Sequence, residues 1–282
     1  MAGMTQLKVS DHRRDFAGMT YVYPVLSRRA GGVSVGINLN PNNACNWHCV
    51  YCQVPGLVRG AAPDIDRALL RSELTGFLDA LVSGDYMEQH VPEGLRTIQD
   101  IAFSGNGEPT SAKAFAEIVA DVLAIRDAAG LAKVPVRLIT NGSLVRREAV
   151  QEGLRRLAAG GGEVWFKVDG GRREDIARIN GVELDPASVS RALALCAGLC
   201  PTWVQTCMFA WDGEAPDTAA IDAYVDCIAA AGVDALQGVL LYGVARVSMQ
   251  PEAPRVSALP ESVLMTIAER IKEKGLTVRV SP

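Results

Sequence analysis

Three cysteines lie close together in one short stretch of the chain, CNWHCVYC at residues 45–52. Cys45, Cys49 and Cys52 have the spacing C-x3-C-x2-C, whereas the other cysteines are distant, at positions 196, 200, 207 and 227. Thiolates at such short spacing are typical ligands of zinc and of iron–sulfur clusters. The stretch supplies three ligands, whereas both kinds of centre normally take four. The missing fourth ligand helps to distinguish a zinc site from an iron–sulfur cluster.

A structural zinc ion is bound by four protein ligands. Zinc therefore requires a fourth ligand from His48 or from a distant cysteine, and His48 adjoins Cys49, which makes simultaneous ligation awkward. A [4Fe–4S] cluster that has three thiolates instead of four keeps one iron open to a small molecule. We therefore expect Cys45, Cys49 and Cys52 to bind a [4Fe–4S] cluster, with zinc as the alternative.

The elements that position this loop alternate between short β-branched runs and longer helical patterns. Strands are predicted at residues 32–39, 97–105, 134–142, 163–170, 202–209, 235–243 and 276–281. Helices are predicted at about residues 65–83, 112–129, 144–159, 172–199 with a break at Gly181 and Pro186, 216–231 and 261–274. Such alternation predicts βαβ units and a parallel sheet.

No linker or change of composition divides the chain, so we expect a short lead-in at residues 1–30 and one domain at residues 31–282. Six or seven βα units in one domain leave two architectures open, an incomplete barrel and a doubly wound open sheet. In both, chemistry belongs at the carboxyl ends of the strands.

Polar residues follow five of the predicted strands. The segments are the cysteine loop after the first strand, GNGEPT (105–110) after the second, TNGS (140–143) after the third, KVDG (167–170) after the fourth and YGVAR (242–246) after the sixth. Because the carboxyl ends of parallel strands meet at one edge, we expect these segments to line a single cavity.

Composition narrows the class of protein. Hydrophobic residues make up 49% and charged residues 21% of the chain, which is typical of a soluble globular protein, and the net charge of −4 gives no basic footprint for nucleic acid. The sequence starts without an apolar signal segment, and no run reaches the roughly 20 apolar residues that span a bilayer. Seven cysteines without an export signal favour a reducing compartment, the cytoplasm.

The cysteine spacing, with Tyr51 immediately before the last cysteine, resembles the signature of the radical S-adenosylmethionine (radical SAM) superfamily. The resemblance covers residues 24–280. Within it, residues 24–54, 103–110 and 138–144 resemble wyosine-synthetase-like iron–sulfur oxidoreductases. The resemblance implies an α/β fold, a partial (β/α)6 TIM-like barrel in a single domain with a short N-terminal extension. It implies a [4Fe–4S] cluster and S-adenosyl-L-methionine (SAM) as cofactors.

In such enzymes SAM binds the open iron, an electron from the cluster cleaves its sulfonium, and the resulting 5′-deoxyadenosyl radical takes a hydrogen atom from the substrate. The resemblance therefore implies an electron donor such as a flavodoxin or ferredoxin, and a small metabolite, a peptide or a tRNA base as substrate. The acidic balance does not favour tRNA, and no membrane partner is expected. The alternative is a zinc-stabilised α/β binding protein without radical chemistry.

The GNGEP segment is similar to the superfamily's glycine-glycine-glutamate-proline element. The resemblance implies that Gly105 and Gly107 let the backbone approach the methionine amino group of SAM and that Glu108 accepts its protons. Asn106 departs from the usual glycine, and a backbone contact there should survive. The alternative is an ordinary turn before a helix. Tyr51, pinned between two cluster ligands, is expected to contact the adenine of SAM.

Four polar residues near strand ends extend the expected SAM site. Lys167 and Asp169 lie on the same side of a strand, where the superfamily binds the SAM carboxylate and ribose hydroxyls; the alternative is a polar strand end that faces solvent. Asn141 after the third strand and Gln205 within the fifth are further candidates, since an amide in an apolar strand needs a partner.

Arginines at a strand-end mouth could hold a carboxylate or phosphate of the substrate. Arg246 after the sixth strand and Arg28 before the first are candidates for this role, and a solvated surface position is the alternative for each.

A second group of cysteines, Cys196, Cys200 and Cys207, has the spacing C-x3-C-x6-C. The spacing raises the possibility of a second cluster. The first two lie among alanine and leucine, where free cysteine commonly serves as a small buried hydrophobe. We therefore expect core cysteines.

Overall fold

The structure is a computed structural model, and it describes residue 7, residues 18–27 and residues 31–281. In chain order its strands are β1 Val22–Ser27, β2 Gly32–Ile37, β3 Ala44–Cys45, β4 Val58–Arg59, β5 Ile98–Phe103, β6 Val136–Thr140, β7 Glu163–Lys167, β8 Thr202–Met208, β9 Ala210–Trp211, β10 Leu236–Gly243, β11 Val256–Ser257 and β12 Val278–Ser281. An observed strand lies within each strand predicted from the sequence.

The helices follow the predicted pattern closely. They are α1 Arg67–Val82, α2 Tyr86–His90, α3 Phe115–Ala128, α4 Glu148–Ala159, α5 Arg173–Asn180, α6 Pro186–Leu199, α7 Thr218–Ala229 and α8 Glu261–Lys272. The predicted break in the segment 172–199 is confirmed. Gly181 ends α5 in the left-handed region at φ 66°, and Asp185 caps α6, which starts at Pro186.

The main sheet is wound in one direction. Its strand order is β1-β2-β5-β6-β7-β8-β10-β12, with β1 antiparallel to β2 and every other pair parallel. A doubly wound sheet reverses its order at a switch point. From β2 to β12 the spatial order follows the chain without a reversal, so this alternative is excluded. The strand order starts at β1 and ends at β12, as in the predicted incomplete barrel.

The two faces of the sheet differ in burial. In β7, Val164 and Phe166 are buried, whereas Glu163, Trp165 and Lys167 alternate with them and are only half-buried. Consecutive helices pack against one another along the sheet, from α3 beside α4 to α7 beside α8. A singly wound sheet carries its helices on one face. The buried residues of β7 therefore face the helices, and the half-buried residues line the concave inner face.

The sequence patterns missed several short elements. Val22–Ser27 falls within the predicted lead-in but forms the edge strand β1 of the main sheet, and the domain boundary at residue 30 stays a prediction. The two-residue strands of β3 with β4 and of β9 with β11 are too short to show a period. Over the described ranges, no helix combines the length and the apolar character needed to cross a membrane.

The assignment of the two faces can be tested with neighbouring aliphatic residues of β6. Leu138 is completely buried on the helix side, and Ile139 is half-buried on the inner side. We expect Leu138→Ala to lower the free energy of unfolding by about 2–5 kcal/mol, as for other core truncations. Ile139→Ala should cost distinctly less in the same urea titration. Equal losses for the two variants would contradict the assignment.

Candidate functional site

The cysteine loop leaves the sheet after β2 and is braced by its own short strands. Cys45 lies in β3 opposite Arg59 of β4, and the N–H of Cys52 donates to the carbonyl of Cys49 at 2.9 Å. Cys45, Cys49 and Cys52 are half-buried, and none of them forms a disulfide. The three predicted cluster ligands therefore stay in one ordered loop with their thiols free.

The end of helix α5 holds this loop from the other side. The N–H of His48 donates to the carbonyl of Asn180 at 3.0 Å, and the N–H of Val50 donates to the carbonyl of Ile179 at 2.9 Å. A Cβ added to Gly181 would lie 2.9 Å from the His48 carbonyl oxygen. Glycine at the end of α5 thus serves both the left-handed turn and the close approach of the cysteine loop.

Burial governs the protonation of the Cys45 and Cys49 thiols. It raises the pKa of Cys45 to about 11 and that of Cys49 to about 12. Both thiols are therefore protonated at neutral pH in the free protein. Because metal centres bind thiolate, a bound centre must displace these protons and must supply the charge that stabilises the buried sulfurs.

The donor set fits a cluster better than a zinc ion. Within the part of the chain that the structure describes, no three His, Cys, Asp or Glu side chains gather closely enough to hold one metal ion. A zinc ion draws its ligands around one atom, whereas a cluster distributes its thiolates over separate irons. His48, the candidate fourth zinc ligand, has its Nε2 3.8 Å from the Glu252 carboxylate.

The GNGEP segment follows β5 and packs directly on the start of the cysteine loop. A Cβ added to Gly107 would lie 2.1 Å from the Ala44 carbonyl oxygen, and one added to Gly105, at φ 139°, would lie 2.5 Å from Asn38 Oδ1. The N–H of Asn106 donates to the same Asn38 oxygen at 3.1 Å. Glycine is thus required here by contacts within the protein, whatever else approaches this backbone.

Glu108 is a buried carboxylate that joins the ends of two strands. Its Oε1 accepts hydrogen bonds from the N–H and hydroxyl of Thr110 at 3.1 and 2.6 Å and from the Thr140 hydroxyl at 2.6 Å. Its Oε2 accepts from the N–H of Asn141 at 2.7 Å. Burial raises the pKa of Glu108, and these hydrogen bonds oppose the rise. Besides the N–H of Asn141, Oε2 can accept a further hydrogen bond, because a carboxylate oxygen accepts more than one. The contact of Glu108 with SAM stays a prediction.

Asn141 links the end of β6 to the cysteine loop. Its Nδ2 donates to Asn46 Oδ1 at 2.9 Å, and its Oδ1 accepts from the N–H and hydroxyl of Ser143 at 3.0 and 2.6 Å. Asn141 is 7% exposed. Asn141, a residue predicted to bind the cofactor, therefore lies beside the cysteine loop, and its side-chain amide is hydrogen-bonded to Asn46 and Ser143.

Asp169 follows the end of β7 and accepts hydrogen bonds from three other parts of the chain. Its Oδ2 accepts from the Tyr51 hydroxyl at 2.5 Å and from Asn180 Nδ2 at 2.9 Å, and its Oδ1 accepts from the N–H of Cys207 at 2.9 Å. The Asp169 side chain is fully buried. The alternative that this strand end merely faces solvent is therefore wrong for Asp169.

Lys167 lies on the inner face beside the same carboxylate. Its Nζ is 4.0 Å from Asp169 Oδ1 and 3.0 Å from the Tyr242 hydroxyl, and it stands 4.9 Å from the centre of the Tyr51 ring. Burial lowers the pKa of Lys167, but the charges around it, with that of Asp169 the largest among them, together outweigh burial and raise the pKa above the ordinary value. Lys167 is therefore a half-buried cation beside Asp169, close to the cysteine loop.

The other predicted site residues divide into three cases. Gln205 is 6% exposed and lies opposite Lys167 in the sheet, so it points inward as expected. Arg246 Nη1 donates to Gln53 Oε1 at 3.3 Å, just after the cysteine loop. Arg28 lies outside the described residues.

Residues that the sequence did not indicate also hold the cysteine loop. The Ser248 hydroxyl donates to the carbonyl of Val50 at 2.7 Å, the N–H of Met249 to that of Cys52 at 2.9 Å, and Gln250 Nε2 to that of Val54 at 2.8 Å. No sequence pattern marks this segment. Asn180 was missed too, although the following Gly181 signals a helix end.

The second cysteine group stays in the core. Cys196 and Cys200 are 1% and 2% exposed, and the Thr202 hydroxyl lies 3.6 Å from the sulfur of Cys196. Cys207 belongs to a separate apolar cluster with Val50 and Phe209. The structure thus separates Cys207 from the other two, as expected for core cysteines.

One family model and several known proteins match parts of the chain. Residues 39–221 match the family model described as the Radical SAM superfamily. Among curated proteins, the chain is 30% identical over 134 residues to "GTPase Obg" of Brachyspira hyodysenteriae, covering 46% of this chain and 17% of that protein. It is 32% identical over 147 residues to "UPF0026 protein MJ1312" of Methanocaldococcus jannaschii, covering 52% and 39%. The chain thus spans less than half the length of these curated relatives.

A solved structure is also similar. It is the crystal structure of a domain of pyruvate-formate lyase-activating enzyme from Bacteroides vulgatus, which is 12% identical. The match covers 65% of this chain and 99% of that chain, with a TM-score of 0.42. That likeness is too slight to carry an argument of its own.

The contact between the GNGEP segment and the cysteine loop can be tested at Gly107. We expect Gly107→Ala to cost about 1–3 kcal/mol of stability, because the new methyl group must displace the Ala44 backbone. Iron incorporation should fall with it. Gly198→Ala is the matched control, since Gly198 lies in α6 with nothing within 4 Å of an added Cβ. Thermal unfolding and iron analysis measure both. A Gly107→Ala protein as stable and as rich in iron as Gly198→Ala would contradict the packing.

Proposed function

The chain belongs to the radical SAM superfamily, whose members use a [4Fe–4S] cluster and SAM, and from that premise we propose that it cleaves SAM reductively. In this proposal a 5′-deoxyadenosyl radical is generated for hydrogen abstraction from a substrate not yet identified. The observation that carries the proposal is that the three free cysteines share one hydrogen-bonded end of the barrel with Glu108 and Asp169.

In this proposal Cys45, Cys49 and Cys52 ligate three irons and leave the fourth open. When bound, the cluster supplies the electron for SAM cleavage. The chain supplies position and shielding. The end of α5 and the segment at 248–250 fix the loop backbone, and the helix-covered sheet keeps water from one side.

The inner face provides the polar groups for SAM. We assign to SAM binding the backbone of residues 105–107, the carboxylate of Glu108, and the side chains of Tyr51, Lys167 and Asp169, with Asn141 and Gln205 nearby. Lys167 is the best supported of these, because it is a half-buried cation on the inner face, beside the Asp169 carboxylate and the Tyr51 ring. Tyr51 is held in one orientation by its hydrogen bond to Asp169, which prepares its ring for contact with adenine.

A zinc-stabilised binding protein is not favoured. It explains the cysteines, but it leaves Lys167 and the polar inner face without a function, and it does not account for the superfamily match. A narrower proposal is membership of the wyosine-synthetase-like subgroup, supported by the segments 24–54, 103–110 and 138–144.

The substrate and partners are proposed more broadly. A small metabolite, a peptide or a tRNA base would enter the concave face, and the net charge of −4 disfavours tRNA. Arg246, and Arg28 outside the described residues, are candidates to bind an anionic group of it. A flavodoxin or ferredoxin would deliver the electron. Seven free thiols support a reducing compartment, for which we propose the cytoplasm.

The cluster assignment predicts a sharp difference between cysteines. Changing Cys45, Cys49 or Cys52 to Ala should abolish 5′-deoxyadenosine formation from SAM, because each removes a ligand. Cys227→Ala is the control, since Cys227 is buried in α7 beside Ser190. The assay is anaerobic turnover with dithionite, and the brown absorption near ~400 nm reports the cluster. Retained 5′-deoxyadenosine formation in Cys49→Ala would refute the assignment.

The role of Lys167 predicts a loss of SAM affinity without loss of the cluster. Lys167→Met should weaken SAM binding roughly 10- to 100-fold, as expected for one charge-assisted hydrogen bond of about 1.5–3 kcal/mol. Asp169 keeps its three hydrogen-bond donors in this variant. Lys113→Met, at an exposed lysine paired with Asp64, is the control. Anaerobic calorimetry on cluster-loaded protein gives the dissociation constants, and equal values for the two variants would remove Lys167 from the SAM site.

A further inference from the structure

The side chain of Asn180 makes a hydrogen bond to one of the three cluster cysteines. Asn180 is the last residue of α5 and is 1% exposed. Its Nδ2 lies 3.3 Å from the Cys49 sulfur and 2.9 Å from Asp169 Oδ2. One amide nitrogen thus serves two acceptors, which a primary amide can do because its nitrogen carries two hydrogens.

The contacts determine which end of the amide faces the sulfur. An ionised carboxylate only accepts hydrogen bonds, so the atom that faces Asp169 Oδ2 must be the nitrogen. The same nitrogen faces Cys49. When Cys49 is a thiolate it can only accept, and the remaining N–H of Asn180 is directed at its sulfur.

We propose that Asn180 is a positioning residue that sets the reduction potential of the cluster through its hydrogen bond to Cys49. The inference rests on the proposed function, because it requires that Cys49 ligates the cluster. Hydrogen bonds to the sulfurs are one of the main determinants of cluster potential. A donor stabilises the reduced state more than the oxidised state, since the reduced state places more negative charge on the sulfurs. Asn180 therefore raises the potential.

The surroundings of Asn180 give this donor little freedom. The carbonyl of Asn180 accepts from the N–H of His48 at 3.0 Å, so its backbone is fixed to the cysteine loop. Its amide is fixed by Asp169, which is itself held by the Tyr51 hydroxyl and the N–H of Cys207. A donor restrained from both ends keeps its direction when the charge on the sulfur changes, which makes its effect on the potential larger.

The donor to Cys49 differs in kind from the donor to Cys45. The sulfur of Cys45 accepts from the backbone N–H of Trp47 at 3.5 Å, which no side-chain substitution removes. The donor to Cys49 belongs to a side chain and can be replaced. Asn180 is therefore a position at which the potential can be changed by mutation without altering a ligand.

The test compares Asn180→Leu with a control that loosens the same contact surface. Leu has nearly the size of Asn but no N–H donor. The control is Arg59→Lys, because Arg59 Nη1 and Nη2 donate to the carbonyls of Asn46 and Gly181 at 2.7 and 2.8 Å and touch no cysteine sulfur, and lysine keeps the positive charge near Cys45. Anaerobic redox titration, followed by electron paramagnetic resonance, gives the midpoint potential of each cluster-loaded protein.

Asn180→Leu should carry the parent's iron and sulfide content with a midpoint potential shifted to more negative values and altered g-values of the reduced cluster. Arg59→Lys should keep the parent potential. An unchanged potential in Asn180→Leu overturns the proposal, and so does an equal shift in Arg59→Lys. If the parent itself binds no cluster, it is the proposed function that fails.

A measurement on the parent can still overturn the proposal where Asn180→Leu does not load a cluster. Resonance Raman spectra of the parent in H2O and in D2O should differ in the Fe–S(Cys) stretching bands, because a hydrogen-bonded sulfur responds to the isotope of its donor. Identical bands in the two solvents overturn the proposal.

Discussion

The buried carboxylate of Asp169 is the group on which the geometry of the site depends. A carboxylate without solvent is costly unless donors and a cation surround it. Asp169 meets this requirement with Tyr51 from the cysteine loop, Asn180 from α5, the N–H of Cys207 from β8 and the charge of Lys167 from β7. Satisfying one anion therefore fixes the cysteine loop against the end of the barrel.

Glu108 fixes the cysteine loop from its other side. It joins the ends of β5 and β6 through Thr110, Thr140 and Asn141, and Asn141 in turn reaches Asn46 of the cysteine loop. The loop is thus held between two buried carboxylates, each of which draws donors from separate elements. Such fully satisfied polar networks restrict the loop to one arrangement, as a site that positions two cofactors requires.

The sequence predicted the strands and helices that alternate along the chain, because β-branched runs and helical periods are local properties. It also predicted which strand ends carry polar groups. It did not indicate that Glu108 and Asp169 bind so many groups of the protein itself, nor that Asn180 reaches Cys49, since these contacts join residues far apart in the chain. The glycines at 105 and 107 show the same limit: the pattern located them, and only the fold shows that Asn38 and Ala44 exclude a side chain there.

The most direct test of the proposed function is whether SAM binds the iron that the three cysteines would leave open. Pulsed electron–nuclear double resonance of the reduced, reconstituted protein with SAM labelled with 15N at its amino group and 17O at its carboxylate measures this. An open iron that binds SAM predicts hyperfine couplings from both labels to the cluster spin. A fully loaded cluster that shows neither coupling at saturating SAM would contradict the open iron site and with it the proposed chemistry.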